Sequence, residues 1–236
     1  MKEQHSRTEM LLGSAALEKL NNSTVAVFGV GGVGGYAVEA LARSGVGEIH
    51  LIDSDRVALS NINRQIIATH DTVGQYKTEA MRQRILSINP DAKVFCYNLF
   101  FDESTKCQFD FIKFDYVIDA IDSLSAKVEL IATAKESGCE IISAMGAGNK
   151  LDPTLFEVAD ISKTSVCPLA RAVRIALRKR GINHLKVVYS KEEPVVKNNL
   201  DENGNRVPAS ISFVPSVMGL IIAGEVIKDI SKKGCQ

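Results

Sequence analysis

The chain has 236 residues, 45% of them apolar and 24% charged, and its formal net charge is zero. That length holds one large α/β domain, or one domain with an appendage, and the neutral balance excludes a whole-molecule attraction to nucleic acid or membrane, so any such contact must come from a local patch. The five cysteines, an odd number with no C-x-x-C pair, argue against a disulfide framework and a four-thiolate zinc site and point to a reducing, cytoplasmic setting.

The first nine residues are polar and carry no signal core. Residues 15–20 read as a short helix. Thr24-Val-Ala-Val-Phe28 is an apolar, β-branched run of the kind buried in a parallel strand, and it stops in Gly29-Val-Gly-Gly-Val-Gly-Gly35. A helix over 36–44 follows, with Gly45 at its C′ position. The strand over 48–53 ends in Asp53, completing a βαβ unit with an acid after its second strand. Over 77–88, Met81, Ile85 and Ile88 share one helical face, and Asn89-Pro90 ends the helix. Strands over 93–97 and 115–119, a helix over 126–137 closed by Gly138, and a strand over 140–144 come next. This alternation predicts a Rossmann-like α/β fold, with a mostly parallel sheet covered by helices on both faces.

After Gly146 the rhythm changes. A basic helix over 170–180 ends at Gly181, a strand spans 185–190, and 196–208, rich in Asn, Asp and Gly, reads as a mobile loop. Residues 212–214 read as a short strand leading into an apolar helix over 215–230. The apolar run 213–227 contains Pro215 and Glu225 and is too short to span a bilayer, so it reads as buried and no membrane partner is expected. The whole reads as one domain over 1–236, with a nucleotide-binding core at 1–146 and a smaller C-terminal α/β extension at 147–236.

Gly29, Gly31 and Gly34 fit G-x-G-x-x-G, with Gly32 between them. Such a loop turns tightly and lets backbone N–H groups and a helix N-terminus meet phosphate. Asp53 sits where an acid holds a ribose hydroxyl. These features alone fit any nucleotide with a ribose, NAD included. Asp55, Asn61, Arg64, Gln65 and Lys77 shift the balance. A dinucleotide has no need of an Arg and a Lys just past the second strand, whereas a triphosphate and its departing pyrophosphate want fixed cations. Asp119 and Asp122 fall at the end of a later strand, where α/β sheets place ligands, and a carboxylate there can hold magnesium beside phosphate.

From about residue 7 to residue 148 this pattern resembles the ThiF and MoeB superfamily of adenylating enzymes, which includes the activators of ubiquitin-like modifiers. The resemblance implies ATP and magnesium as cofactors. It makes Gly29 to Gly34 the nucleotide loop, Asp53 the ribose acid, and Asn61, Arg64 and Gln65 the Asn/Arg-Gln element. Lys77 becomes the phosphate lysine and Asp122 the magnesium-associated acid. It further implies a homodimer in which Arg7 reaches across to the partner's site, so Arg7, Arg64, Lys77 and Asp122 form the expected catalytic set. The two zinc-binding C-x-x-C pairs common among sulfur-carrier activators are absent. Instead Met145-Gly-Ala-Gly-Asn-Lys-Leu-Asp-Pro153, Cys167-Pro-Leu-Ala-Arg171 and Phe213-Val-Pro-Ser-Val217 look like the tRNA threonylcarbamoyladenosine dehydratase branch. That branch implies a tRNA substrate, whose threonylcarbamoyl carboxylate is adenylated and then cyclised. The alternative is an activator of a ubiquitin-like sulfur carrier.

Cys167, before a proline and a helix start, is a candidate thioester nucleophile in that alternative, against the bland reading of a buried apolar cysteine. Cys235 is a candidate acceptor from a sulfur-transfer partner protein. Arg171, Arg174 and Arg178 recur at helical spacing and are the candidate tRNA phosphate contacts, against the usual explanation of a solvated face.

Overall fold

In a computed structural model the chain is described for residues 3–196, 200, 204 and 207–232. Two short helices come first, α1 (Ser6–Leu12) and α2 (Ser14–Asn21). The first βαβ unit is β1 (Thr24–Phe28), α3 (Gly34–Arg43) and β2 (Glu48–Ile52). Next are α4 (Lys77–Ile88), β3 (Lys93–Tyr97), β4 (Tyr116–Asp119), α5 (Leu124–Glu136) and β5 (Ile141–Ala144). They are followed by β6 (Phe156–Asp160), α6 (Pro168–Lys179), β7 (Lys186–Ser190) and α7 (Phe213–Lys232).

The strands form one seven-stranded sheet in the order β3-β2-β1-β4-β5-β7-β6, parallel throughout except where β6 pairs antiparallel with β7. The mostly parallel Rossmann-like sheet expected from the sequence is therefore present. Strand β1 feeds both faces: Val25 and Val27 pack with α3, α4 and α7, while Ala26 and Phe28 pack with α5 and α6. Burial on both sides explains why the run is apolar without alternation. The sheet runs unbroken from the residues before 146 into those after it, because β7 pairs with β5.

Helix α1 has no counterpart in the sequence reading, and two strands also differ from it. Strand β6 was not anticipated. It is an edge strand of mixed composition in which only Phe156 is buried, so its period-two signal is faint. The expected strand over 212–214 does not form, because Phe213 and Val214 already belong to α7. Val214, Met218, Ile222, Val226 and Ile230 are buried at helical spacing, and Pro215 is tolerated in a first turn that needs no N–H donor. Most of the expected 196–208 loop lies outside the described residues. No described helix is long and apolar enough to cross a membrane.

Chain order reverses between β1 and β4, and in their register Phe28 faces Asp119. This is the switch point at which an open α/β sheet forms a crevice. Helix α7 crosses α3 close by. A Cβ on Gly219 would stand 2.2 Å from the Val33 carbonyl oxygen, so only glycine permits the approach.

Candidate active site

A cleft of about 690 Å³ opens at that switch point, and the glycine loop forms its floor. Gly29 has φ +90, and a Cβ there would lie 2.6 Å from the Ala120 carbonyl oxygen. A Cβ on Gly34 would lie 1.8 Å from the Gly29 oxygen. These two glycines are demanded by chain packing. Gly31 and Gly32 differ: they line the cleft with no backbone atom that near, so their lack of a side chain leaves main chain open to a ligand. Helix α3 starts immediately beyond and adds its positive end.

Asp53 follows β2. One carboxylate oxygen accepts the Val30 N–H (2.7 Å) and the other the Asp55 N–H (2.8 Å). Burial, the largest influence, pushes the Asp53 carboxyl above its ordinary value, and the Lys77 ammonium and the two N–H groups oppose this without cancelling it. Lys77 opens α4. Its ammonium lies 2.6 Å from an Asp55 oxygen and 3.8 Å from Asp53, and its side chain is only 8% exposed. A nearly buried cation held by two carboxylates at a cleft wall is placed to exchange one of them for a phosphate oxygen.

The turn after Ala58 supplies the next group. The Asn61 side chain accepts the Ala58 N–H (3.0 Å) and so shapes the turn. Arg64 donates to the Ser60 carbonyl and the Asn63 side chain, each at 2.9 Å, and borders the cleft. Gln65 is buried facing Gly31, and its Oε1 finds no partner among the described residues. An orphaned buried acceptor beside a glycine loop is a group awaiting a donor.

The two acids after β4 part company. Asp122 is exposed in the cleft lining. Asp119, expected in the nucleotide site, is instead fully buried below it, ion-paired with Lys127 at 2.8 Å. The correction has a simple cause. β4 is buried on both faces, so its last residue points into protein, and only the loop beyond it reaches the crevice.

A model described as the ThiF family matches residues 5–236. The chain belongs to the ThiF family. It is 47% identical to a tRNA threonylcarbamoyladenosine dehydratase of Bacillus subtilis, a match covering 98% of this chain and 96% of that one. Crystal structures of the E. coli tRNA N6-threonylcarbamoyladenosine dehydratase in complex with AMP and with ATP superpose with TM-scores of 0.91 and 0.90, at 34% identity, covering 99% of this chain and 96% of theirs. A Saccharomyces cerevisiae adenylyltransferase and sulfurtransferase is 34% identical over 66% of this chain and 35% of its own length.

The other candidate residues lie elsewhere. Arg7 is exposed on α1 and is not in the lining of its own chain's cleft. Beside it Met10 and Leu11 are 85% and 83% exposed, an unusual display for two adjacent apolar side chains. Of the three α6 arginines, Arg171 and Arg178 are exposed, whereas Arg174 donates to the Ile161 and Thr164 carbonyls and the Thr164 hydroxyl. Arg174 thus pins the turn before α6 and is withdrawn from the candidate tRNA contacts. Cys167 is buried at the N-cap of α6 and borders the cleft beside Gly146. Cys235 lies outside the described residues.

Three features of this ThiF-family cleft went unread in the sequence. Leu99, Phe100 and Phe101 make an apolar wall, braced by Phe101 packing edge-on against Phe28 with ring centroids 5.0 Å apart. Lys150 lines the far end, its buried ammonium donating to the Glu192 carbonyl. Asn149, at φ +60, is fixed by the Ala209 N–H, which its side chain accepts at 2.7 Å. Asn149 and Lys150 lie within the 145–153 segment that carries the family resemblance, but nothing in it assigns them to the cleft. The signal for the apolar wall is the run of aromatics after β3.

Proposed function

We propose that this protein uses ATP to dehydrate N6-threonylcarbamoyladenosine in tRNA, activating the threonyl carboxylate by adenylation and closing it into a ring. The observation that carries the reading is likeness to the Bacillus subtilis dehydratase over 98% of the chain, which takes in the extension as well as the nucleotide core. The match to the adenylyltransferase and sulfurtransferase spans only 66%.

The residues divide the work. The apolar wall at Leu99 to Phe101 receives the adenine, and Asp53 accepts from the ribose hydroxyls. The open amides of Gly31 and Gly32 and the start of α3 meet the phosphates. The substrate carboxylate oxygen bonds to the α-phosphorus as the bond to pyrophosphate breaks, giving an acyl-adenylate. Lys77 and Arg64 hold the charge that grows on the departing pyrophosphate. The ureido group then closes on the acyl carbon, and AMP departs with the carboxylate oxygen. Asp122 fits a magnesium-associated role, since its carboxylate faces the cleft with no cation partner among the described residues. Magnesium held by Asp122 would supply further neutralisation of phosphate charge. Arg171 and Arg178 offer exposed cations to the tRNA backbone.

Incubating the purified protein with ATP and tRNA, then resolving the nucleosides by mass spectrometry, tests the reading. A product lighter than threonylcarbamoyladenosine by one water is expected. Pyrophosphate exchange that needs a carrier protein and ignores tRNA would overturn it. The second reading, a sulfur-carrier activator, draws on one observation, that Cys167 borders the same cleft.

We further propose a homodimer with a shared site. Its support is Arg7, which lies outside its own cleft, and the bare Met10 and Leu11 beside it. Arg7→Ala and Asp122→Ala should each retain only about 1% of wild-type turnover alone, a residual rate measurable in single-turnover assays. Mixed under subunit exchange, they should recover roughly a quarter of wild-type turnover, since half the subunits are in mixed dimers and each of those has one intact site. No recovery, or a monomer in light scattering, removes the shared site.

A further inference from the structure

We infer that the buried Lys127–Asp119–Ser143 cluster is the positioning device for the Asp122 loop, so that Lys127 acts on adenylation through Asp122 without touching substrate. The inference rests on the adenylation chemistry proposed above.

The cluster sits directly beneath the cleft. Lys127, on α5, and Asp119, at the end of β4, are both fully buried. The Lys127 ammonium has three N–H groups and three acceptors: an Asp119 oxygen at 2.8 Å, the Ala144 carbonyl at 2.9 Å and the Ser143 hydroxyl at 3.3 Å. The Ser143 hydroxyl donates to the same Asp119 oxygen. The other Asp119 oxygen accepts the Ile121 N–H at 3.1 Å. One ion pair therefore ties β4, α5 and β5 together and holds the residue next to Asp122.

The loop is held from its other neighbours too. The Ala120 N–H bonds the Phe28 carbonyl at 2.8 Å, and Ala120 presses on Gly29 so closely that no side chain fits there. The Lys127 N–H closes the first turn of α5 on the Ser123 carbonyl at 2.9 Å. Residues 119–123 thus cross from strand to helix with their register fixed against the nucleotide loop. A fully buried ion pair is a poor way to gain stability, because apolar residues of similar volume often serve as well. It is a good way to fix a geometry, since each donor and acceptor admits one arrangement. Asp122 has no partner of its own among the described residues, so its place depends on the backbone that carries it.

The test uses the full-length protein in a double-mutant cycle. The triple variant Lys127→Met/Asp119→Leu/Ser143→Ala removes the polar cluster without leaving a lone buried charge. Its cooperative unfolding and ATP affinity should stay near wild type, because the glycine loop and Asp53 are untouched. Its kcat for tRNA-dependent pyrophosphate exchange should fall about 10²-fold, the cost typical of a misplaced reacting group. Introduced on an Asp122→Ala background, the same changes should cost less than about twofold more, because residues acting through one another are not additive. Amide exchange at Ile121 to Ser123 should speed by about tenfold or more while β1 and β2 stay protected. Additive losses, or unchanged exchange at those amides, overturn the inference. Should the triple variant not fold, Ser143→Ala must show the same non-additivity at smaller amplitude, and additivity there is equally fatal. If the wild type shows no tRNA-dependent exchange, the substrate reading fails, and the amide measurement still decides the positioning role.

Discussion

Lys77→Ala is expected to lower tRNA-dependent turnover by about 10²–10³-fold, and Cys167→Ser to leave most of it intact. Lys77 is nearly buried at the cleft wall, its ammonium 2.6 Å from Asp55 and 3.8 Å from Asp53. Both acids already accept backbone N–H groups or face solvent, so neither depends on the lysine for its place. The ammonium is therefore available to a phosphate oxygen, and its attraction strengthens as negative charge collects on the leaving pyrophosphate. A group that binds better as the barrier is climbed contributes to kcat, not only to KM. Cys167 stands differently. The ring-closing nucleophile belongs to the substrate and is tethered to the activated carbonyl, so an enzyme thiol adds no required step. Single-turnover assays on both variants, with pyrophosphate exchange alongside, separate the cases. If Cys167→Ser abolishes cyclisation while exchange survives, a thioester follows adenylation and the carrier-activating reading takes over.

Gly34→Ala should destabilise the protein by about 3 kcal/mol or more, the upper end for forcing atoms into a packed site, and lower its melting temperature by roughly 6–12 °C. The added Cβ would stand 1.8 Å from the Gly29 carbonyl oxygen, a backbone atom that cannot swing aside. Gly31→Ala is the informative contrast. Its Cβ would meet nothing nearer than the Gln65 side-chain nitrogen at 3.8 Å, so the fold should lose less than about 1 kcal/mol. ATP affinity should nevertheless fall by about tenfold or more, since the new methyl occupies space into which the amide must meet phosphate. Thermal unfolding with and without ATP reads both effects. Equal melting temperatures for the two variants would mean that the two glycines do not have separate roles.

The contrast shows why the motif was legible before the structure. G-x-G-x-x-G records a turn whose tightest demand, Gly34 against Gly29, acts within a few residues, Asp53 closes the same βαβ unit, and Lys77 opens the helix that follows. Local patterning likewise revealed six of the seven strands, four of which, β1, β4, β5 and β7, are nearly all buried and largely apolar. What stayed hidden depends on tertiary direction. Asp119 and Asp122 are three residues apart and look equivalent in a list, yet one points under the sheet and the other into the cleft. Arg174 shares helical spacing with Arg171 and Arg178 but turns back onto Thr164. Lys150 and the Leu99–Phe101 wall enter the site only because distant loops converge on it. The strand expected at 212–214 failed for a related reason: a three-residue apolar run carries no period, and the helix beginning there is set by contacts with α3.

That last helix orders events in time. Pro215 packs 3.3 Å from the position of a Cβ on Gly32, and Gly219 lies against Val33 and Ala37, so α7 is the backing of the phosphate loop. The two partners are separated by on the order of 180 residues, a long-range contact that cannot form early. On the ribosome, at about 5–20 residues per second, the glycine motif waits roughly 10–40 s for its support to be synthesised. Nascent chains that carry the recognisable motif therefore have no finished phosphate cradle, and ATP cannot act as a template for the first stages of folding. Competence to bind nucleotide arrives late, once α7 at the far end of the described chain has been made.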